Sequence, residues 1–307
     1  MIRFLVRRVL GLVPVFLIIV TVIFFLIRLA PGGPFEQGER FVAPEALEQL
    51  RAAYNLDAPL YRQYLDYLFD LVRGDLGPSM KQPSRTVAEW IALRAPVSME
   101  LGFYALLVAC TLGLLAGVTA ALRPNSLTDY VPMSFAMVGI CVPIFVLGPL
   151  LMLIFSIWLG WLPVAGWGPP NTKILPALTL GAPYVAYIAR LARGGMFEVL
   201  AQDFIRTARA KGLSEARVVL RHALRGGIQP VVSFLGPAAA GLLTGSFVVE
   251  KVFQIPGLGS QFVDAAFNRD YTMLLGAVLF YAVLILVFNL LVDVAQALLD
   301  PRVRYGK

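Results

Sequence analysis

Histidine is almost missing from this chain: 307 residues contain one, His222. Cysteine is nearly as scarce, with Cys110 and Cys141 the only two, and both fall inside apolar runs. So thin a supply leaves no Cys-His or Ser-His-Asp set, no CxxC-type metal spacing and no disulfide framework. The two cysteines are expected as small buried residues and His222 as a packed or solvated side chain. The nucleotide-cradling pattern G-x-x-x-x-G-K-[ST] is missing as well. "GLGSQF" at 257–262 has the glycines but no following Lys-Ser or Lys-Thr, and it reads as a turn. These gaps predict a chain with no catalytic residue, no metal site and no cofactor of its own.

Charge is the other shortage. Charged residues make up 15% of the chain, where a soluble domain carries about a quarter. Hydrophobic residues make up 58%, and the mean hydropathy is +0.75. That balance points to the membrane class. A net charge of +7 suits nucleic acid too, but in a membrane protein the placement of charge says more than its sum.

A helix that crosses the hydrocarbon needs roughly 20 mostly apolar residues. Six runs qualify: about 9–29, 97–121, 130–157, 174–192, 231–250 and 273–299. Pro176, Gly181 and Pro183 make the fourth the weakest. The first run follows Arg3, Arg7 and Arg8 in the manner of a signal peptide. Its apolar core is longer than a signal core, and "RLAPGGP" offers no small-x-small cleavage site, so a retained membrane helix is expected.

Lysine and arginine fix the expected orientation. With six spans and the N-terminus inside, the cytoplasmic pieces are 1–8, 122–129, 193–230 and 300–307. With Arg190 at the membrane edge, they hold Arg3, Arg7, Arg8, Arg123, Arg193, Arg302, Arg304, Lys307 and the basic stretch described next, while the two short outer loops hold only Lys173, Lys251 and Arg269. This is the positive-inside asymmetry, and it puts both termini in the cytoplasm. Residues 30–96 carry mixed charge. "PEALEQLRAAYNL" has Leu47, Leu50 and Tyr54 at helical spacing, and "APLYRQYLDYLFDLVRG" has Leu60, Tyr64, Tyr67, Leu68 and Leu71. A small helical cap outside the membrane is expected there, serving as packing or as a docking surface.

The most polar long stretch in the second half is "RTARAKGLSEARVVLRHALRGGIQP" at 206–230, with Arg206, Arg209, Lys211, Arg217, Arg221 and Arg225. Periodicity predicts a helix over about 195–211, with Phe197, Leu200, Phe204 and Ala208 on one side. Gly212 fits the left-handed position that ends such a helix, and Ser214 the N-cap of a second one. Arg217, Arg221 and Arg225, four apart, are expected along one stripe of that helix. Three readings suit a basic helix pair: a topology anchor, a DNA-binding helix-turn-helix, or a knob pressed into a cytoplasmic partner. A helix–Gly–helix with an apolar face is more than an anchor needs. No base-reading set is evident, and membrane runs flank the pair closely on both sides.

A cytoplasmic helix–Gly–helix ending in "IQP" before the penultimate span resembles the EAA loop of ABC-importer permeases. Arg206, Thr207 and Ala208 stand where that loop has Glu-Ala-Ala. The Arg-Thr-Ala-Arg-Ala-Lys-Gly form is itself usual in one branch, the B-type permeases of peptide and oligopeptide importers. "FLVRRVLGLVPVFLIIVTVIFFLIRLAPGGPF", "FIRTARAKGL", "RHALRGGIQPV", "GSFVVEKVFQIPGLG", "NRDY" and "LVDVAQALLDPRVRY" are similar to the same branch, so the likeness covers essentially the whole chain. It implies an all-α membrane protein of six transmembrane helices with the type I importer permease fold. Residues 1–96 would be the N-terminal helix and outer region, and 97–304 the permease domain, with the coupling loop at about 193–230. Arg206, Thr207, Ala208, Arg209, Ala210, Lys211, Gly212 and Leu213 would be the ATPase-coupling residues. The implied partners are a second, C-type permease subunit, two cytoplasmic subunits that bind ATP and Mg, and an extracytoplasmic peptide-binding protein. The implied site is the bacterial inner membrane, in contact with lipid and not nucleic acid. Short peptides are the implied substrate, with nickel, glutathione or another small solute as alternatives.

An ion-coupled secondary transporter or a channel is the rival class. Its intramembrane acids would have to be Glu100, Glu250 and Asp293, and a polar stripe of Asn289, Asp293, Gln296 and Asp300 marks the last run. No inverted repeat supports it. Gly113-x-x-x-Gly117 and Gly241-x-x-x-Gly245 have the small-xxx-small spacing of close helix contacts.

Overall fold

The computed structural model describes residues 2–29, 33–35, 48–49 and 54–299. Regular structure among them is helical, apart from one isolated antiparallel bridge between Pro78 and Thr86. Among the described residues, four helices are long and apolar enough to cross a membrane, and two bent helix pairs pass the same test together. Leu47 and Leu50 of the expected cap helix lie outside the described residues, as do Arg302, Arg304 and Lys307 and the side chains of Asp293, Gln296 and Asp300.

The chain divides into two compact units. One comprises residues 1–96 with 257–286, and the other 97–256 with 287–307. In the first, the Ile2–Leu29 helix sets Phe24 at the centre of an aromatic cluster with Phe25, Tyr64 and Tyr67. A second cluster joins Val87 and Ile91 to Leu258, Met273 and Ala277. Asp270 is buried and accepts hydrogen bonds from Ser79 Oγ, from the backbone N–H of Met80 at 3.2 Å and from that of Met273 at 3.0 Å. One carboxylate thus caps the Tyr271–Leu299 helix and pins the loop at 78–82. "GLGSQF", expected as a turn, opens the Leu258–Phe267 helix instead, with Gly257 at its N-cap.

The second unit is built around the Ile174–Leu200 helix. Pro176, Gly181 and Pro183 do not break it, because Pro176 sits in its first turn, where no N–H is needed, and the helix runs on past Pro183. Small residues let its neighbours approach. A Cβ on Gly113 would lie 2.8 Å from Ile188 Cβ, one on Gly117 2.4 Å from the carbonyl of Ala189, and one on Gly139 2.3 Å from that of Ala182. The pair Gly113 and Gly117 therefore packs as its spacing suggests. Gly241 also makes a close approach, at Tyr184, whereas Gly245 lies just beyond the Gln229–Leu243 helix, at a chain turn with φ +75.

Two expected spans are reshaped. The run at 130–157 is two helices, Leu127–Cys141 and Ile144–Trp158, bent by 117°. Pro143 is the cause: it offers no N–H to the first helix, and Val142 before it takes the extended backbone that prolines impose. The run at 231–250 stops at Leu243 and resumes as Phe247–Val252. There Glu250 is buried and accepts a hydrogen bond from Ser98 Oγ at 2.7 Å. Glu100 pairs with Lys173. Cys110 is half-buried, while Cys141 is exposed at the bend, unlike the expectation for it.

Candidate functional site

The basic stretch folds as two short helices set at the end of the Ile174–Leu200 helix. The single helix expected over 195–211 is broken at Ala201–Gln202, and a new one runs Asp203–Ala210. The break turns the apolar face. Ile205, fully buried, and Ala208 now point inward, while Phe204 is 50% exposed and Phe197 55%. Ile205 and Ala208 pack with Ala121, Met196, Val218, Val219 and Ala223. The knob's inner face is therefore a small apolar core of its own.

Gly212 closes the first helix with φ +74. Its N–H donates to the carbonyl of Arg209 at 2.9 Å, and that of Leu213 donates to Ala208 at 3.4 Å. This double bond pattern is the Schellman turn, which needs a left-handed residue at that position. Ser214 holds the N-cap place of the second helix, Glu215–Gly227, with extended backbone but no side-chain bond to it. The reinforcement comes instead from across the turn. Arg209 Nε donates to Glu215 Oε1 at 2.7 Å and Nη2 to Oε2 at 3.2 Å, a bidentate fork that ties the two helices. The guanidinium holds the Glu215 carboxyl below the usual carboxylate range.

Val218–Ala223 winds as a wider turn of the π type, in which each N–H bonds five residues back. Arg217, Arg221 and Arg225 are all exposed, as the basic stripe expected from their spacing requires. Leu220 is 68% exposed beside them. Of the eight residues singled out from the sequence, Arg206, Thr207, Arg209, Ala210, Lys211 and Gly212 face outward. Leu213 is half-buried, and Ala208 is part of the inner core. The outer surface is thus basic, with Phe197, Phe204 and Leu220 open among the charges.

One contact joins this knob to the helix before it and a second ties that helix onward to another, and neither was evident from the sequence. A Cβ on Gly195 would stand 2.2 Å from the Gly227 carbonyl oxygen, and one on Gly227 2.9 Å from Met196 Cα, so two backbones touch there. Two residues back along the same helix, Arg193 Nε and Nη2 donate to the two oxygens of Asp129 at 2.7 Å each. Asp129 is 2% exposed and opens the Leu127–Cys141 helix. A movement imposed on the knob would therefore reach two membrane helices through a backbone contact and an ion pair. Nothing in the sequence flags such pairs, because 32 and 64 residues separate their members.

Comparison with known proteins gives this geometry a context. A family model for the inner-membrane component of binding-protein-dependent transport systems matches residues 113–305, and one for the N-terminal part of that component matches residues 1–87. The oligopeptide transport system permease protein OppB of Haemophilus influenzae is 48% identical over 307 residues, covering 99% of this chain and all of that one. OppB of Escherichia coli K12 is 46% identical over the same span. The dipeptide transport system permease protein DppB of Bacillus subtilis is 43% identical over 100% of this chain and 99% of its own. Among solved structures, an amino acid ABC transporter with histidines matches at TM-score 0.53 and 18% identity, covering 68% of this chain and 94% of that one. At that identity it speaks for the fold alone.

Proposed function

The chain belongs to the inner-membrane components of binding-protein-dependent transport systems, and from that membership we propose that it is the B-type permease subunit of an ATP-driven importer of short peptides. It is a multi-pass protein of the plasma membrane and a transport subunit with no catalytic step of its own. The substrate class rests on one observation: relatives 41–48% identical along essentially their whole length are named as oligopeptide or dipeptide permeases.

In this reading the chain forms half of the translocation pathway, with a C-type permease as the other half. Six spans, two of them bent, leave both termini in the cytoplasm. Residues 206–213 sit in a cleft of a cytoplasmic subunit that binds ATP and Mg, and an extracytoplasmic protein delivers peptide. The mixed character of the knob supports this. Exposed Phe204 and Leu220 offer apolar anchors, and the arginines around them would steer the knob to an acidic rim. Closure of two ATPase subunits would then move a rigid element fastened at Gly195–Gly227 and Arg193–Asp129.

The test is uptake of labelled di- to pentapeptides into liposomes holding the assembled complex. Uptake should require ATP on the side of the ATPase subunits and persist when the proton gradient is collapsed. Peptide movement by this chain alone, driven by an imposed proton gradient, would overturn the proposal.

A further inference from the structure

The helix at Leu60–Val72 was expected as a cap outside the membrane, yet it packs along the first apolar helix and not beyond its end. Tyr64 Oη is 2.6 Å from Thr21 Oγ1, and the Tyr64 ring lies 5.2 Å from that of Phe24 and 5.4 Å from that of Phe25. Arg28 Nε donates to Gln63 at 3.0 Å. The membrane-length stretch of the first helix ends at Leu29. Thr21 is thus eight residues inside it, about 12 Å of helical rise. Its outward side at that depth carries Ile18, Val22, Leu26 and Leu29, all exposed, as a lipid-facing stripe does.

Seen end on, the second helix has three arcs. Gln63, Tyr64, Tyr67 and Leu71 turn toward the first helix and the residues around it. Arg62, Asp66, Asp70 and Arg73 form a charged, exposed arc. Between these two, Tyr61, Leu65, Phe69 and Val72 are 67%, 59%, 57% and 87% exposed. Four large apolar side chains open on one stripe are costly in water. The helix that bears this stripe is packed against one that is itself long and apolar enough to span a membrane. Arg73 lies 3.9 Å over the Phe69 ring, so the cation stands where the apolar and charged arcs meet.

We propose that Leu60–Val72 lies in the lipid interface, with Tyr61, Leu65, Phe69 and Val72 in the acyl region and Arg62, Asp66, Asp70 and Arg73 among headgroups and water. The partner of this surface is phospholipid, and the helix anchors the first unit at a fixed depth. The inference depends on the first helix being a membrane span and is independent of the substrate.

Nitroxide labels test it in the assembled transporter, reconstituted in phosphatidylethanolamine and phosphatidylglycerol liposomes. The labels go on Leu65→Cys, Phe69→Cys, Arg62→Cys and Asp70→Cys, each in a chain carrying Cys110→Ala and Cys141→Ala. Collisions with oxygen report lipid, and collisions with a water-soluble nickel chelate report solvent. The oxygen-to-nickel ratio should be about threefold or more higher at 65 and 69 than at 62 and 70. Equal nickel access at all four positions would overturn the proposal. So would added binding protein shielding 65 and 69 from both reagents, which would make that protein the occupant. A label on Leu26→Cys separates the two premises: nickel access there as well would fault the membrane span itself.

Discussion

Gly212 holds a backbone that few side chains tolerate. Its φ of +74 lies in the left-handed region, and a Cβ built there meets nothing within 4 Å. Conformation alone is therefore at stake, at about 1 kcal/mol or more for an added Cβ and more for a branched one. Gly212→Val should leave insertion and binding-protein docking intact, since those rest on other surfaces. It should weaken ATPase co-purification or let ATP turn over without uptake. Gly212→Asn should be milder, because asparagine enters this region more readily. Normal uptake and co-purification in Gly212→Val would remove residues 206–213 from the coupling role. The fork between Arg209 and Glu215 backs up the turn but sits in open solvent, where such pairs contribute little. Its pH dependence follows from the lowered Glu215 carboxyl. The contribution is complete above the ordinary carboxylate range and fades only as acid protonates Glu215, so coupling at neutral pH is insensitive to it.

Elements rather than residues carry force away from the knob, and their contacts make a controlled comparison possible. Gly194 and Gly195 are adjacent in one helix, yet a Cβ on the first meets nothing within 4 Å and one on the second would stand 2.2 Å from the Gly227 carbonyl oxygen. Helix propensity favours alanine equally at both. Gly194→Ala should therefore transport as the parent does, while Gly195→Ala should lose uptake several-fold. Uptake and ATPase activity measured together read the outcome, and equal behaviour of the two variants would dissolve the fastening. At this scale the sequence was legible where a signal is local. Gly212 announces its turn, and apolar runs announce their helices. It was silent where direction changes. Hydropathy sums the run at 130–157 without regard to the 117° bend at Pro143. Periodicity carried across Ala201–Gln202 put Phe197, Leu200, Phe204 and Ala208 on one side, whereas the break leaves Phe197 and Phe204 open and turns Ile205 inward with Ala208. In the same way, Leu60, Tyr64 and Tyr67 marked one face of the Leu60–Val72 helix and drew attention from the exposed stripe beside it.

For the whole molecule, the distribution of charge makes the firmest demand. The exposed basic side chains of 206–225 belong on the cytoplasmic side if the positive-inside rule governs this chain. Residues 54–59, before the interfacial helix, then lie on the opposite side. Asp57 and Ala216 are both exposed and make none of the ion pairs or hydrogen bonds described above, which suits them to reporting sidedness. Asp57→Cys and Ala216→Cys, each in the chain with Cys110→Ala and Cys141→Ala, should react with a membrane-impermeant maleimide from opposite faces. Intact cells should label position 57 and spare 216, and inverted vesicles should do the reverse. The pair decides more than two loops. Between residues 57 and 216 the six-span arrangement places three crossings, the Val87–Leu122 helix, the bent pair Leu127–Trp158 and the Ile174–Leu200 helix, and three is odd. Were the bent pair a re-entrant loop that returns to its own side, two crossings would remain and both positions would label from the same face. Same-side labelling would therefore reassign the bend at Pro143 and, with it, the side on which an ATPase can meet the knob.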